Sequence, residues 1–402
     1  MEPSRQLDQI SSDSVLIGKR ILHCYVTAEF GGLANAFISI SNAFFRKGAK
    51  VTIALQTLTG ELIANIEQNI NVVGLGYRGV YSYPLMAVRL YGLVRRLRPD
   101  IVISHSWNCN VLAIIAFRAC KPRPKLILYE HTPVAYYGLY KGFQSLLKPL
   151  TIFPLYRQAD ALFVVSEGIR QEYEKKYFIP REIITVIPPP VDIHNTLNRA
   201  REPVEHPWFN ENIPIVISVA PLTPAKDFKT LLNAFAIIRA KKQVRLVLVG
   251  DGPERGMLEN TALQLGIEKD FQILGYQPNP YKYMIRSSIF ASTSAVEGFG
   301  IAIVEALALG LPVVATKCAG PIDILENGKY GLLTPACDSM ATAFEILKLL
   351  SDETLYASLA RSGRERAYLY ESSKVLKIIE NTIANLTTEK HCGSTCVSGF
   401  TG

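Results

Sequence analysis

The chain of 402 residues is longer than one ordinary domain, and its 49% hydrophobic and 19% charged residues exclude a disordered protein. The net charge of +8 and the pI near 9.0 favour anionic partners. Nucleic acid is not expected among them, because the chain has no RNA-binding signature, zinc pattern or block of Lys and Arg.

The cysteines and the N-terminus indicate the compartment. Seven Cys are scattered without a C-x2-C pair, as in a reduced cytosolic chain. The opening segment MEPSRQLDQISSDS has no apolar core of a signal peptide. The most apolar long run, FGIAIVEALALGLPVVA, is too short and too interrupted to span a bilayer. We therefore expect a cytoplasmic protein, with peripheral attachment to the inner face of the membrane as an option.

In the first half of the chain, short β-branched runs alternate with helical stretches. RILHCYVTA predicts a strand, which Gly31 and Gly32 and the helical pattern LANAFISISNAFFRKG follow. Further strands are predicted at KVTIAL, PDIVISHS, KLILYEH and ALFVVSE. Continuous apolar strands with intervening helices indicate a parallel sheet that is covered on both faces.

The segment KGFQSLLKPLTIFPLYR, residues 141–157, is apolar with basic ends. One interpretation is a helix packed beneath the cleft between domains. The alternative is a segment that binds an anionic membrane surface, aided by the basic stretch YGLVRRLRP.

A polar, proline-rich stretch then predicts a linker at residues 193–212. The alternation restarts with strands at IPIVISVA, VRLVLVG, FQILGY, SIFASTS and PVVATK. We predict an α/β fold of two doubly wound, Rossmann-like domains that face a cleft, at residues 1–192 and 213–373. A helix at 374–386 is expected to pack back on the first domain, and residues 387–402 to form a flexible tail. Ligands of such sheets bind beyond the C-terminal ends of the strands.

The stretch EGFGIAIVE combines a glycine turn, a helix start and two acids, Glu297 and Glu305. The helix start favours anions, and Glu305 lies roughly 6–8 Å further along the axis. Because ionised carboxylates accept hydroxyl donors, a sugar nucleotide fits this arrangement. Glu305 would hold the ribose, Glu297 the donor sugar, and the N–H groups from Phe299 to Ala302 the diphosphate. Alternatively, Glu297 is only a helix cap and Glu305 a solvated helix residue.

The longer run EGFGIAIVEALALGLPVVAT resembles the E-x7-E motif of the retaining glycosyltransferases of family 4, which have the GT-B fold. Other segments match that family in order, so the resemblance covers nearly the whole chain: GGLANAF, RPDIVISHS, ADALFVVSEGIRQEY, TVIPPPVD, ISVAPLTPAKDFKTLLNAF, LVLVGDGPE and FQILGY. The resemblance implies two GT-B domains and transfer of a hexose from a nucleotide sugar.

The resemblance also implies roles for matching residues. Glu305 resembles the ribose-binding acid, Glu297 the acid near the donor sugar, and Lys226 the lysine that neutralises the diphosphate. His131 resembles the cleft histidine that touches the reacting sugar, so Glu297, His131 and Lys226 form the implied catalytic set. The remaining positions implied in donor binding lie in the loops that would face the phosphates, the sugar and the base: Gly298, Phe299, Gly300, Ile301, Gly275, Tyr276, Gly31 and Gly32.

One position departs from the family. Gly-Arg-Leu is usual where this chain has Ala220-Pro221-Leu222, so one of two diphosphate cations is missing. No Asp-x-Asp occurs in the chain, whereas Mg²⁺ on a diphosphate usually needs a carboxylate held at such a site. We therefore predict no metal site and no cofactor, with Lys226 and a helix dipole neutralising the leaving group.

Two further histidines lie on predicted strands of the first half. His105 ends a predicted strand at the cleft, where a hydrogen-bonded structural role is the commoner one. His23 lies within a strand and is expected in the core.

The predicted function is a retaining, metal-independent hexosyltransferase that uses a UDP- or GDP-linked sugar. The expected acceptor is a saccharide or lipid-linked saccharide in cell-surface polysaccharide synthesis, with an anionic membrane surface as a second partner. One alternative is a catalytically decayed sugar-nucleotide-binding protein, which the missing arginine would support. The other is an epimerase or phosphorylase of the same fold, although no convincing lysine for the pyridoxal cofactor of such phosphorylases is present.

Overall fold

We describe the protein from a computed structural model, which covers residues 14–29, 31–118, 120–134 and 143–388. Within this part of the chain, each half forms a parallel sheet with alternating helices. The predicted α/β class with two Rossmann-like units is confirmed. The predicted domain boundaries stay predictions.

The sheet of the first half has seven parallel strands: β1 (Arg20–Tyr25), β2 (Lys50–Leu55), β3 (Asn71–Gly74), β4 (Ile101–His105), β5 (Lys125–Glu130), β6 (Ala161–Val164) and β7 (Ile184–Val186). Their order is β3-β2-β1-β4-β5-β6-β7, so the direction of winding reverses between β1 and β4. β4 and β6 are buried along their whole length. Cover on both faces explains why their sequences are continuous apolar runs.

The helices of the first half are α1 (Gly32–Arg46), α2 (Tyr83–Leu97), α3 (Ser106–Phe117), α4 (Phe143–Tyr156) and α5 (Glu167–Tyr177). α1 is amphipathic, because Phe37, Ile40 and Phe44 recur at helical spacing and are all buried. The helical pattern after Gly31 and Gly32 is therefore confirmed as the first helix.

The sheet of the second half has six parallel strands: β8 (Ile215–Val219), β9 (Arg245–Val249), β10 (Phe271–Ile273), β11 (Ile289–Ser292), β12 (Val313–Thr316) and β13 (Leu332–Thr334). Their order is β10-β9-β8-β11-β12-β13, and the winding reverses between β8 and β11. This repeats the arrangement of the first sheet.

The remaining helices are α6 (Ile193–Arg199), α7 (Phe228–Arg239), α8 (Arg255–Leu265), α9 (Tyr281–Met284), α10 (Ile301–Leu309), α11 (Ala319–Ile324), α12 (Ser339–Leu349), α13 (Glu353–Ala367) and α14 (Ser372–Thr388). Aspartates cap several of them by accepting a backbone N–H three residues later, as Asp227 does from Thr230. Among the described helices, none combines the length and apolar character needed to cross a membrane.

The stretch predicted as a linker, residues 193–212, contains regular structure. It includes α6 and a 3₁₀ turn at Pro207–Asn210. Asp192 begins α6 by accepting the backbone N–H of Asn195 at 2.9 Å. A local side-chain cap and the burial of Ile193 stabilise this helix, so a segment that links the two halves can itself be helical.

After α13, the chain returns toward the first half. Val191 and Glu371 pair as an isolated parallel bridge, and the backbone N–H of Ser372 donates to the Val191 carbonyl at 3.0 Å. Glu380 on α14 forms an ion pair of 2.6 Å with Lys47, which follows α1. The last helix therefore contacts the first half of the chain. Most of the predicted flexible tail, residues 389–402, lies outside the described residues.

Candidate active site

Predicted site residues lie in loops that leave the two sheets where the winding reverses. Gly31 and Gly32 follow β1, and Lys226 follows β8. The loop that contains Glu297 follows β11, the neighbour of β8. Open α/β sheets bind ligands in the crevices outside such points.

Two helix starts from the two halves lie against each other. A Cβ added to Gly32, at the start of α1, would lie 2.8 Å from Cδ1 of Ile301, at the start of α10. Neither helix has an acidic residue in its first turn or a side-chain cap. Both starts therefore present backbone N–H groups and the positive ends of helix dipoles to the same region, which suits an anion.

Gly31 and Gly300 allow these helix starts to form. Gly31 has φ of 144° and Gly300 has φ of 105°, values that side chains other than glycine rarely adopt. Among the described residues, chain neighbours aside, no atom lies within 4 Å of a Cβ built on Gly31.

Lys226 and Glu297 form an ion pair beside α10. Nζ of Lys226 lies 2.5 Å from Oε2 of Glu297, and the two side chains are only 21% and 16% exposed. The Ser294 hydroxyl donates to the same carboxylate oxygen at 3.2 Å. The turn that carries Lys226 is fixed to the β11 loop, because the Thr293 hydroxyl donates to the Asp227 carbonyl at 3.0 Å.

Glu305 lies one turn into α10 and is held by a tyrosine. The Tyr281 hydroxyl donates to Oε1 of Glu305 at 2.8 Å. Burial raises the pKa of Glu305 to about 7, and the hydrogen bond from Tyr281 only partly offsets this. Glu305 is therefore a half-buried, hydrogen-bonded residue, and its role stays a prediction.

Gly275 and Tyr276 follow β10 and lie at the edge of the second sheet. The backbone N–H of Gly250 donates to the Gly275 carbonyl at 2.8 Å, and Gly275 has φ of 72°. Tyr276 is 47% exposed. Its pKa is raised by partial burial and by the carboxylate of Glu61, a residue of the first half, so this loop also faces the other half of the chain.

His131 lies just beyond β5, against the loop of Glu297. A Cβ added to Gly298 would lie 2.1 Å from the His131 carbonyl oxygen, so only glycine allows this approach. Burial lowers the pKa of His131 to about 3, which keeps the ring neutral. The loop therefore brings His131 and Glu297 to one side of the α10 start.

Phe299 faces the interior. Its side chain is 4% exposed, and its ring centroid lies 5.4 Å from that of Tyr370. A Cβ on Gly320 would lie 1.9 Å from the Phe299 carbonyl oxygen, so this backbone is enclosed by the start of α11. Any contact of Phe299 with a ligand would have to use its backbone N–H, as the sequence analysis expects.

Pro221 is exposed, in a loop that packs against the turn Gly250-Asp251-Gly252. A Cβ on Gly250 would lie 2.0 Å from the Ala220 carbonyl oxygen, so the glycine lets the two loops meet. Arg255, a nearby cation, is bound to acids instead: it contacts Asp251 and Glu259, each at 3.0 Å. Lys226 is therefore the cation that the described geometry brings to Glu297.

Two residues of this region, Tyr281 and Ser294, were not predicted from the sequence, and they hydrogen bond to the two glutamates. His23 and His105 lie behind His131 and are buried and hydrogen bonded, as the sequence predicts. Tyr281 is 24 positions from Glu305, and neither tyrosine nor serine forms a motif there. The sequence already assigns both histidines to strands of one sheet, but it does not show that their rings meet.

The architecture defines the class of protein: two Rossmann-like units that face each other, as in the GT-B fold. HepE from Anabaena, solved with UDP and glucose, has the same fold with a TM-score of 0.78. It is 22% identical, and the alignment covers 91% of this chain and 100% of HepE.

Two family models match consecutive parts of the chain. The one described as Glycosyltransferase Family 4 matches residues 30–195, and the one described as Glycosyl transferases group 1 matches residues 202–366. The chain belongs to this family and is a glycosyltransferase.

Curated relatives agree. An N-acetylgalactosaminyltransferase of Campylobacter jejuni, whose name specifies a diphospho-undecaprenol-linked saccharide, is 26% identical over 73% of this chain and 79% of the relative. The N-acetyl-alpha-D-glucosaminyl L-malate synthase of Bacillus anthracis is 25% identical over 75% of this chain and 80% of the relative. Family membership favours glycosyl transfer over the epimerase, phosphorylase and decayed-enzyme alternatives.

Proposed function

We propose that this glycosyltransferase moves a hexose from a UDP- or GDP-linked donor to a saccharide hydroxyl, with retention of anomeric configuration and without a metal ion. The observation that carries the proposal is the Lys226–Glu297 pair beside the two adjoining helix starts of α1 and α10. A cation, two dipole ends and a carboxylate together suit a ligand that is anionic at its centre and rich in hydroxyls at its ends.

The diphosphate of the donor would bind at the helix starts. Backbone N–H groups near Gly32 and Ile301 would donate to its oxygens, and Lys226 would neutralise its charge. Phosphate binding there suits an enzyme in which the diphosphate departs, because these donors stabilise the charge that develops on the leaving group.

The two acids would bind the ends of the donor. Glu305, held by Tyr281, would accept hydrogen bonds from the ribose diol in its ionised form. Glu297 would accept from hydroxyls of the transferred hexose, beside His131 and Gly298. Gly275 and Tyr276 would contact the base.

The reaction proceeds on one face of the sugar. The bond from C1 to the diphosphate oxygen breaks, and the acceptor hydroxyl oxygen bonds to C1 from the same side. The acceptor proton passes to the departing diphosphate oxygen. Lys226 and the helix starts supply the positive charge that a divalent ion would otherwise supply, which is why we propose that no metal is required.

The acceptor we propose is a glycan or lipid-linked saccharide in cell-surface polysaccharide synthesis, in the cytoplasm or on the inner face of the membrane. The Campylobacter relative named for an undecaprenol-linked saccharide supports this choice. The net charge of +8 suits an anionic lipid surface.

A thermal-shift panel of nucleoside diphosphates and their sugar conjugates would identify the base, since ligand binding to the native state raises its stability. The preferred donor is then incubated with candidate acceptors in the presence of a chelator, and proton NMR reads the anomeric configuration of the product. We expect turnover and a retained anomer. An inverted anomer would refute retention, and loss of activity that added metal restores would refute metal independence.

A further inference from the structure

Three buried histidines form a continuous hydrogen-bonded chain behind the candidate active site. Nε2 of His131 lies 2.8 Å from Nδ1 of His105, and Nε2 of His105 lies 2.6 Å from Nε2 of His23. Nδ1 of His23 then lies 2.7 Å from the Ser41 hydroxyl on α1. All four side chains are 5% exposed or less.

The register of the sheet explains why these rings meet. His23 on β1 is paired with Ile103 on β4, and His105 lies two residues further along. His105 is paired with Tyr129 on β5, and His131 again lies two residues further along. Because side chains alternate with a period of two, the three rings lie on the same face of adjacent strands.

The rings are neutral at physiological pH. Burial lowers the pKa of His23 and of His131 to about 3, and it also lowers the pKa of His105 well below its ordinary value. Each neutral imidazole carries one N–H donor and one acceptor nitrogen. A chain of such rings therefore has a direction, which its end groups decide.

At one end, Ser41 determines this direction. Its hydroxyl donates to the Phe37 carbonyl oxygen at 3.0 Å. With its proton used there, Ser41 accepts from Nδ1–H of His23, so Nε2 of His23 accepts from His105. Nδ1 of His105 in turn accepts from Nε2–H of His131.

At the other end, Nδ1 of His131 is buried and, among the described residues, has no hydrogen-bond partner. The direction set by Ser41 leaves a lone pair on this atom. The opposite direction would leave an N–H donor buried without an acceptor, which is rarer and more costly in folded proteins. Both ends of the chain therefore support the same assignment.

We propose that Ser41, His23 and His105 are positioning residues that hold His131 as the Nε2–H tautomer, so that Nδ1 accepts a hydrogen bond from a hydroxyl of the transferred sugar. The nature of this ligand rests on the proposed function, whereas the tautomer does not. An ionised diphosphate has no donor to offer this atom, but a sugar hydroxyl does. The His131 carbonyl beside Gly298 places the residue next to Glu297, where the sugar is expected.

The test uses the full-length protein labelled with ¹⁵N at its six histidines, without any ligand. Long-range ¹H–¹⁵N correlation spectra distinguish protonated from unprotonated ring nitrogens, and a His131→Gln variant assigns the His131 signals. We expect an unprotonated Nδ1 and a protonated Nε2 in His131. A protonated Nδ1, or averaging between the two forms, would overturn the proposal, whether or not the protein proves active.

The paired variants are Ser41→Ala and Ser39→Ala, two serines of the same helix. Ser41→Ala removes the group that sets the direction, so His131 should show mixed tautomers, whereas Ser39→Ala should retain the parent spectrum. With the donor found in the panel, Ser41→Ala should lower kcat roughly three- to tenfold, the effect of one hydrogen bond, and leave nucleoside diphosphate affinity unchanged. An unchanged His131 spectrum in Ser41→Ala would refute the positioning role. If that variant does not fold, the parent spectrum still decides the tautomer.

Discussion

Lys226 and Glu297 carry opposite charges 2.5 Å apart, and each is mostly shielded from water. A hydrogen bond from the Ser294 hydroxyl holds Glu297 in place. The turn that carries Lys226 is held by the hydrogen bond from Thr293 to the Asp227 carbonyl. Since the Arg of the family is replaced by Pro221, a donor diphosphate would depend on Lys226 and on the helix starts for its counter-charge. Lys226 should therefore be unusually important here.

We expect Lys226→Ala to weaken nucleoside diphosphate binding by about 1.5–3 kcal/mol, the range for hydrogen bonds to charged groups. Turnover should fall at least as strongly, because leaving-group charge is stabilised by the same amine. The matched control is Lys229→Ala, an exposed lysine in the first turn of α7. Calorimetry and donor turnover measure both effects.

Pro221→Arg should tighten diphosphate binding if the loop accepts a residue other than proline. A mild effect of Lys226→Ala, together with no effect of Pro221→Arg, would mean that another cation binds the diphosphate or that the protein does not bind one there.

Glu305 gives a pH dependence whose sign can be stated. Its pKa rises from 4.5 to about 7 on folding, so its contribution to stability is complete below pH 4.5 and is lost as the pH rises through about 7. Ribose hydroxyls donate to the ionised form, so nucleotide-sugar affinity should instead increase between pH 6 and 8. Glu305→Gln should flatten both profiles and weaken binding by about 1–3 kcal/mol. Affinity should be measured by calorimetry with a nucleotide sugar. A nucleoside diphosphate is less suitable, because its terminal phosphate also titrates in this pH range. A pH-independent affinity in the parent would exclude the ribose role.

At the scale of elements, α10 and the loop before it join the two halves. Gly298 lies against the end of β5, Gly32 of α1 lies against Ile301, and Gly320 of α11 lies against Phe299. Glycines at these points allow backbone segments to approach closely, which no larger residue permits without movement. The active-site geometry therefore depends on contacts between loops as much as on charged side chains.

Gly298→Ala should destabilise the protein by about 1–3 kcal/mol, the usual cost of overpacking, because its Cβ would meet the His131 carbonyl oxygen at 2.1 Å. Turnover should fall further than stability alone explains, since His131 and Glu297 would move apart. Gly256→Ala on α8 is the control: outside its chain neighbours, no atom of the described residues lies within 4 Å of its Cβ, so it should be neutral or slightly stabilising. Urea unfolding and turnover test both. A Gly298→Ala protein of parental stability and turnover would show that this approach is not required.

The segment at residues 141–157, which is apolar with basic ends, contains one lysine that is buried. Its residues from 143 onward are described, and Lys148 is fully buried, 3.4 Å from the equally buried Glu130. Asn110 also donates to Glu130 at 2.9 Å. This lysine therefore satisfies a buried carboxylate and is not available to a lipid surface, in keeping with the packed helix that was one of the two interpretations of the sequence.

An apolar surface nevertheless remains on α4. Leu150 and Phe153 are 66% and 45% exposed, and Phe178, 68% exposed, lies edge-on to Phe153 at 6.3 Å. The Arg157 guanidinium lies over the Phe153 ring. Exposed apolar residues next to a cation are typical of surfaces that enter a lipid headgroup region.

At the scale of the whole molecule, we expect binding to anionic vesicles that weakens as salt rises, since screening shortens the attraction. Phe153→Ser should weaken binding by roughly one to two orders of magnitude, because burial of a Phe side chain contributes about 1.5–3 kcal/mol. Phe344→Ser, at a more exposed position on α12 in the second half, should have no effect. Co-sedimentation at low and high salt measures the binding. No binding of the parent at low salt would leave α4 as a packed helix alone.

Both halves of the molecule contribute residues to the candidate site. Gly31, Gly32 and His131 come from the first sheet, whereas Lys226, Glu297 and Glu305 come from the second. The chain passes between the halves near Val191 and returns at Glu371. The two crossing segments are hydrogen bonded to each other there. The site is formed at the meeting of the two sheets, so the approach of the two halves determines its geometry.

The sequence by itself determined the α/β class, the positions of most strands and the family. These features follow from local patterns: apolar runs of strand length, glycine turns and the E-x7-E spacing that runs from a loop into the following helix. It also indicated Glu297, Glu305, Lys226 and His131 as candidates, whose roles stay predictions. The linker that it predicted at residues 193–212 stays a prediction, and the structure adds that this stretch contains a helix, which the Asp192 cap and the burial of Ile193 stabilise.

Only the tertiary structure decided which of these residues meet. Lys226 and Glu297 are 71 positions apart, and Tyr281 reaches Glu305 across 24. The histidine chain joins β1, β4 and β5, whose adjacency follows from strand order and register. Local patterns contain no information about that order, because the same apolar strand can pair with several neighbours. Burial, which sets the pKa of Glu305 and the neutrality of His131, likewise exists only once both sheets have packed.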